Sequence, residues 1–139
     1  MAVNFYNEQV EFVLKNKTKL KNWIKTIAQL ENKLVGPLNF IFTNDEELLK
    51  KNIQFLKHTT FTDIITFDYS QNNKLSGDIF ISIERVAQNA KKFNVVVEEE
   101  LHRVIIHGVL HLCGYGDKTP ALALKMRKKE NWALKLYQL

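Results

Sequence analysis

The sequence predicts an α+β or α/β fold, with a mixed sheet of about four strands covered by about five helices. Runs of β-branched and aromatic residues alternate with stretches whose apolar residues recur at helical spacing. The length of 139 residues fits one core. No repeat and no Gly/Ser/Pro-rich linker divides the chain, so residues 1–139 are expected to form a single domain.

The first half of the chain predicts, in order, a strand at residues 3–6, a helix from about residue 16, a strand at 38–42 and a helix at 46–55. In the first helix, apolar residues recur at helical spacing from Leu20 to Leu34. Gly36-Pro37 is expected to end it, because glycine permits a stop and proline cannot continue a helix. The second helix follows a capping residue, Asn44, and has acidic residues at its positive end.

The second half predicts strands at 61–69 and 77–82, then helices at 83–93, 96–113 and 120–137. Both strand segments are rich in β-branched and aromatic residues. The polar residues 70–74 between them suggest a turn that joins an antiparallel pair. Ser82 is placed to cap the helix that follows it. The predicted order is therefore β-α-β-α-β-β-α-α-α.

Charge and cysteine content narrow the possible functions. The formal charge is +5, from 20 Lys and Arg against 15 Asp and Glu. Such a balance attracts polyanions such as RNA, although a mildly basic surface is also common without one. The single cysteine, Cys113, excludes an intrachain disulfide and fits a reducing compartment. No signal peptide or apolar run of about 20 residues is visible, so we expect a cytoplasmic protein without membrane contact.

The most informative segment is residues 107–117, His-Gly-Val-Leu-His-Leu-Cys-Gly-Tyr-Gly-Asp. His107 and His111 lie four positions apart on a predicted helix, so both imidazoles face the same side and can reach one cation. Gly114 stands where this helix is expected to stop, which lets the chain bring Asp117 back toward the histidines. Three protein ligands leave a fourth position for water, as in catalytic zinc sites. We predict a site for zinc, or another divalent transition metal, at His107, His111 and Asp117.

Other interpretations of this segment are weaker. Two ordinary core or surface histidines would each need a partner in a helix that is apolar on both sides. A zinc peptidase is disfavoured because Gly108 replaces the general-base glutamate in the second place of the pattern H-E-x-x-H-x-x-G-x-x-H. A facial triad of a non-heme iron oxygenase also has two histidines and one carboxylate, but no cosubstrate motif is visible. Cys113 points about 160° away from His111 on the helix and is interpreted as a structural thiol.

The same segment resembles the YbeY family of bacterial endoribonucleases, whose hallmark is H-G-x-L-H-L-x-G-Y-D-H. Residues 107–115 fit its first nine positions. Supporting matches are 62–67, 77–82, 98–101, and Met126 with Glu130, so the resemblance covers roughly residues 38–134. It implies a single-strand-directed RNA hydrolase with a zinc-type metal, involved in 16S rRNA 3′-end maturation and ribosome quality control. It also implies the small ribosomal subunit or its assembly factors as partners.

Two departures from the family concern the third ligand and a phosphate contact. The carboxylate of Asp117 replaces the last histidine of the hallmark, a substitution that zinc accepts. Phe55-Leu56 stands where many members carry a Tyr-Arg pair. The arginine of that pair is expected to contact phosphate. Lys57 or His58 could replace it, or each could instead be a solvated loop residue. A non-catalytic ribosome assembly factor with a structural metal therefore stays an alternative.

A third departure lies one turn before the first ligand. Arg103 stands where members often have a histidine. An arginine at this position can clamp a phosphate oxygen bidentately, or can pair with Glu99 or Glu100. We predict Arg103 and His58 as substrate-binding residues. The sequence assigns no general base and no nucleophile.

Overall fold

The computed structural model describes residues 2–59 and 61–138. Its strands and helices, in chain order, are β1 (Val3–Asn7), α1 (Lys17–Leu30), β2 (Leu34–Thr43), α2 (Asp45–Lys51), a π-helical turn (Asn52–Leu56), β3 (Ile64–Asp68), β4 (Lys74–Ser82), α3 (Ile83–Phe93), α4 (Val97–Leu112) and α5 (Pro120–Tyr137). The predicted fold, a mixed four-stranded sheet with five helices, is confirmed. None of the helices in the described ranges is long and apolar enough to cross a membrane.

The strands form one sheet in the order β1-β2-β4-β3. The pairs β1–β2 and β2–β4 are parallel, whereas β3 runs antiparallel to β4. A turn closed by a bridge between Gln71 and Lys74 joins β3 to β4, so the predicted antiparallel pair is confirmed. This topology leaves β3 at one edge of the sheet.

The core lies between the sheet and the helices α1, α4 and α5. Its largest fully buried side chains come from both layers: Phe40, Phe42, Leu20, Ile24, Ile27, Leu38, Leu75, Ile79, Ile81, Ile105 and Ile106. The middle of α4 is buried on several sides because the helix contacts the sheet, α3 and α5. The indole N–H of Trp23 donates a hydrogen bond to the Ala133 carbonyl (2.8 Å), which joins α1 to α5.

The first helix ends earlier than the sequence suggested. It stops at Leu30, because Asn32 takes a left-handed conformation (φ 61°) and turns the chain into β2. Leu34 lies on that strand, opposite Lys74, and is 67% exposed, so its helical spacing from the core residues is coincidental. Gly36-Pro37 lies within β2, at an irregularity in the pairing with β4, and the prediction that it ends the helix is wrong.

The helix predicted at 46–55 is α-helical only as far as Lys51. It continues as the wider π-helical turn, after which Lys57 is left-handed (φ 57°). The predicted caps are confirmed, since the side chains of Asn44 and Ser82 accept hydrogen bonds from the backbone N–H groups of Glu47 (2.8 Å) and Arg85 (3.1 Å). The strand predicted at 61–69 is shorter than expected, at Ile64–Asp68.

Candidate functional site

An open cleft of about 680 Å³ is lined by residues of α3, α4, α5, the edge strand β3 and the segment after the π-helical turn. Helix α4 contributes a stripe of side chains three or four positions apart: Glu100, Arg103, Val104, His107 and His111. All five residues predicted for the site, His58, Arg103, His107, His111 and Asp117, line this one cleft.

His107 lies in the cleft with a carboxylate near each of its ring nitrogens. Its Nδ1 atom lies 2.7 Å from Oε2 of Glu130 on α5, and its Nε2 atom lies 3.5 Å from Oδ2 of Asp117. Burial by itself lowers the pKa of His107, but the hydrogen bond and charge of Glu130, with the charges of Asp117 and Asp63, hold that pKa above its ordinary value. His107 is therefore fixed between two carboxylates.

Glu130 is almost fully buried and connects two residues of α4. Its Oε1 atom accepts a hydrogen bond from Arg103 Nη1 (2.9 Å), and the other guanidinium nitrogen of Arg103 donates to Asn131 (2.9 Å). Burial alone would raise the pKa of Glu130, but the hydrogen bonds from His107 and Arg103 outweigh it and leave this pKa below its ordinary value. The carboxylate is therefore held ionised. The partners of Arg103 are thus on α5, and substrate binding by its guanidinium stays a prediction.

His111 and Asp117 are both exposed and face the same cleft. Within residues 2–59 and 61–138, no group of three or more His, Cys, Asp or Glu side chains is arranged as a ready metal-binding set. The ligand set therefore stays a prediction. His107 nevertheless fits a ligand, because Glu130 occupies Nδ1 and leaves Nε2 facing Asp117. Metal-binding histidines commonly have such a carboxylate on the second ring nitrogen.

The loop after α4 brings Asp117 back toward His107, as predicted. Gly114 follows the end of the helix with φ 109°, a backbone conformation that residues other than glycine rarely adopt. The hydroxyl of Tyr115 then donates to Glu31 Oε1 (2.6 Å), and the ammonium of Lys129 bonds Glu31 Oε2 (2.9 Å). These contacts hold the loop against α1 and α5.

Gly108 faces the sheet rather than the cleft. A Cβ atom at this position would lie 3.1 Å from Cδ1 of Ile64 and 3.1 Å from Cδ1 of Ile79. The second place of the zinc-peptidase pattern therefore points into the core of this protein. A glutamate at that position would be directed against these two isoleucines, which gives a physical reason for disfavouring the peptidase interpretation.

The sequence model of the family described as endoribonuclease YbeY matches residues 3–138. The chain belongs to the endoribonuclease YbeY family. Endoribonuclease YbeY of Flavobacterium psychrophilum is 49% identical over 134 residues, which is 96% of each chain. That of Flavobacterium johnsoniae is 48% identical over 137 residues, 99% of this chain and 98% of the relative. The fold is also similar to the solution structure of a Thermotoga maritima protein, with a TM-score of 0.66 and 28% sequence identity between the two. The match covers 98% of this chain and 91% of the Thermotoga maritima chain.

Two further acidic residues of this YbeY chain line the cleft: Asp63, for which the sequence predicted no role, and Glu100, which was considered only as a partner of Arg103. Burial raises the pKa of the Asp63 carboxyl, although the nearby charge of His107 works against it. Burial and the charge of Asp63 likewise raise the pKa of Glu100. The only sequence signal for Asp63 was its position in the strand segment that matches YbeY proteins.

Two cations of the cleft were also missed. Lys118 follows Asp117 and is exposed, and Arg127 of α5 has a 53% exposed side chain, with Nη1 3.7 Å from Glu130 Oε1. No spacing rule links Arg127 to the YbeY motif, because the two come together only when α5 packs on α4.

Cys113 and His102 lie outside the cleft lining. Burial raises the pKa of the Cys113 thiol to about 11, so the thiol is neutral and lacks the thiolate that binds metals. His102 is buried against the rings of Tyr137 (centroids 4.4 Å apart) and Trp23 (6.1 Å). The position of Cys113 agrees with the structural role inferred for it from the helical wheel.

Proposed function

We propose that this chain is a metal-dependent, single-strand-specific endoribonuclease that acts in the maturation of the 3′ end of small-subunit (16S) rRNA and in ribosome quality control in the cytoplasm. Membership of the endoribonuclease YbeY family supports RNA hydrolysis as its activity. The observation that carries the metal-dependent mechanism is the imidazole of His107, fixed through Nδ1 by Glu130 and open to the cleft through Nε2.

We infer that His107, His111 and Asp117 hold one zinc ion, or another divalent transition metal. Glu130 supports this assignment because it orients one imidazole, and Asp117 already lies near the Nε2 atom of that ring. His111 is four residues further along the same cleft-lining stripe of α4. A metal bound by three such ligands would acidify a water molecule and polarise a phosphoryl oxygen.

The cleft needs cations to accept an RNA backbone, because Asp63, Glu100, Asp117 and Glu130 give it negative charge. Arg103 is already held by Glu130 and Asn131, so its charge is partly offset. We therefore assign the principal phosphate contacts to Arg127 and Lys118, whose side chains are exposed at the cleft. His58 lines the same cleft and remains a candidate for a further contact.

The small ribosomal subunit, or one of its assembly factors, is the partner that this function requires, because the 3′ end of the rRNA is presented there. The support for this partner is the family resemblance and the net charge of +5, which favours association with RNA-rich surfaces. Cosedimentation of the protein with isolated small subunits over a range of salt concentrations tests the partner separately from cleavage.

The deciding experiment compares the wild type with His111→Ala and His58→Ala, all purified without chelator or nickel resin. Metal content is measured by mass spectrometry, and cleavage is measured on a single-stranded rRNA fragment and on the same fragment in a duplex. We expect stoichiometric metal and single-strand cleavage in the wild type, and loss of both in His111→Ala. His58→Ala, a histidine of the same cleft outside the ligand set, is the matched control and retains its metal.

The possible outcomes separate the alternatives. Equal cleavage by wild type and His111→Ala, with contaminating nucleases excluded, would show that the metal site is not catalytic. A wild type that binds metal and small subunits but cleaves no RNA would be a non-catalytic assembly factor. End-group analysis of the products then identifies the nucleophile, because a 2′,3′-cyclic phosphate excludes water attack as the first step.

A further inference from the structure

The α3 side of the cleft carries two side chains that the metal site does not use. Asn89 and Phe93 lie four positions apart on α3, on one face of the helix, and both line the cleft that contains His107. The Phe93 side chain is 49% exposed. Asn89 is half-buried, and its amide forms no hydrogen bond to any residue in the described part of the chain. A large ring and an unpaired amide therefore face the same space.

This pair has the chemistry of a nucleobase site. Every base has a face that stacks on an aromatic ring, and such stacking contributes about 1–3 kcal/mol per base. An amide offers a donor and an acceptor side by side, which matches the donor–acceptor pattern at the edge of a base. A phosphate next to a stacked base would meet the exposed cations that line the same cleft, Lys118 and Arg127.

Two exposed cations of the cleft favour a nucleotide over an apolar peptide as the occupant. Arg127 and Lys118 are exposed cations in the same cleft, and a peptide with apolar side chains would gain nothing from them. An RNA strand brings the phosphates that these cations neutralise and, at a fixed distance from them, the bases that Phe93 can stack.

We propose that Phe93 and Asn89 form a nucleobase subsite, in which one unpaired base of the RNA stacks on the Phe93 ring and hydrogen-bonds the Asn89 amide. This inference rests on the proposed endoribonuclease function and extends it. A base inside a duplex already stacks on its neighbours and has its pairing edge occupied, so it cannot enter the subsite. The subsite thereby supplies a physical reason for a preference for single strands.

The first test measures binding to the metal-loaded protein. The probe is a single-stranded 2′-O-methyl octanucleotide with one 2-aminopurine, whose fluorescence falls when it stacks, and gels check that the probe is intact. We expect Phe93→Leu, which keeps an apolar side chain without the ring, to weaken binding by about 5-fold to about 150-fold and to abolish quenching. Phe93→Tyr, which keeps the ring, restores both. Tyr69→Leu, an exposed aromatic outside the cleft lining, is the matched control and leaves binding unchanged.

The second test concerns the amide. Binding of four octanucleotides that differ only in the base at the probed position is compared between the wild type and Asn89→Ala. We expect the wild type to prefer some bases and Asn89→Ala to bind the four more equally, with stacking on Phe93 retained. An unchanged order and size of the preferences in Asn89→Ala would overturn the role of Asn89.

The failure of the subsite and the failure of the proposed function give different results. If the wild type cleaves single-stranded RNA and Phe93→Leu has the same KM and the same affinity, the subsite is wrong and the function stands. If the wild type binds the probe in a Phe93-dependent way but cleaves no RNA, the subsite stands and the nuclease function is wrong. If the wild type neither binds nor cleaves, both are overturned.

Discussion

The Nδ1 atom of His107 and the Oε2 atom of Glu130 lie 2.7 Å apart, and this contact joins α4 to α5 at the cleft. Because the pKa of Glu130 is lowered, its carboxylate is ionised and can only accept a hydrogen bond. Nδ1 must therefore carry the proton when the ring is neutral, and the lone pair of Nε2 faces Asp117. Glu130 thus fixes both the orientation and the tautomer of the histidine.

Replacement of this carboxylate should weaken the metal site. We expect Glu130→Gln to lower the affinity for zinc by about 10-fold to about 100-fold, because the amide holds the ring less firmly and removes a charge that makes the imidazole more basic. Competition with a chromophoric chelator measures the affinity. Asn131→Ala, which removes the other partner of Arg103, is the control and should bind zinc like the wild type. Equal affinities in Glu130→Gln and wild type would contradict the orienting role.

The same pair should make the stability of the metal-free protein depend on pH. The raised pKa of His107 stabilises the folded state. This contribution to the free energy of unfolding is fully present below pH 6.5, the ordinary pKa of histidine, and is lost as the pH rises through the raised pKa. The lowered pKa of Glu130 also stabilises the folded state. This contribution to the free energy of unfolding is fully present above pH 4.5, the ordinary pKa of glutamate, and is lost as the pH falls through the lowered pKa.

The pair of His107 and Glu130 should therefore stabilise the folded state most between pH 4.5 and pH 6.5. Urea unfolding of metal-free wild type and Glu130→Gln measures this at about pH 5.5 and about pH 8. We expect a larger difference in the free energy of unfolding at the lower pH. A difference that grows toward alkaline pH would show that the charged pair does not form.

Removal of a cleft cation should change how RNA binding depends on salt. We expect Arg127→Ala to weaken binding of single-stranded RNA for all sequences and to reduce the slope of log affinity against log salt by about 0.7, because one phosphate contact is lost. Lys128→Ala is the matched control, since Lys128 is the exposed neighbour of Arg127 but does not line the cleft. If Arg127→Ala and Lys128→Ala reduce this slope by the same amount, the RNA does not bind in the cleft.

Introduction of the glutamate of the zinc-peptidase pattern at position 108 should damage the protein instead of creating a peptidase. In Gly108→Glu the new carboxylate would lie among Ile64 and Ile79, where burial of an unpaired charge costs several kcal/mol, on the order of 3 or more. Urea unfolding and an assay with a casein substrate check both effects. Gly116→Ala is the control within the same motif, because a Cβ there meets only Leu122 at an ordinary 3.7 Å. A folded Gly108→Glu variant with peptidase activity would refute this account of the helix packing.

Loosening the loop after α4 should weaken the proposed metal site through Asp117. We expect Tyr115→Phe, which loses the 2.6 Å hydrogen bond to Glu31, to reduce stability by about 1 kcal/mol and to speed the release of zinc. Stopped-flow transfer of zinc to a chelator measures the release rate. Lys125→Ala, which removes a cation near the Tyr115 ring but leaves the hydrogen bond, is the comparison. An unchanged rate in Tyr115→Phe means that the loop is held by other contacts.

The parts of the site that lie on one helix could be predicted from the sequence. Helical spacing placed His107 and His111 on one face, and Gly114 marked the turn that brings Asp117 back. Glu130 and Phe93 could not be placed in the same way, because they belong to other helices and meet α4 only through tertiary packing. Their positions along the chain contain no period that points to His107.

The fold was predicted well where capping residues mark a boundary, as at Asn44 and Ser82. It was predicted poorly at the end of α1, where Leu34 continued the helical spacing although it belongs to a strand. The periodic pattern of apolar residues does not separate an exposed leucine from a buried one. The left-handed turn at Asn32 ends the helix before Leu34. Turns made by asparagine carry a weaker sequence signal than Gly36-Pro37, which lies inside β2.

The contact between His107 and Glu130 also sets an order of events during synthesis. The ribosome adds the histidine 23 residues before the glutamate. A nascent chain therefore holds its imidazole without the carboxylate that orients it until α5 has been made and has packed on α4. The imidazole and the carboxylate that orients it are therefore paired only in the completed fold.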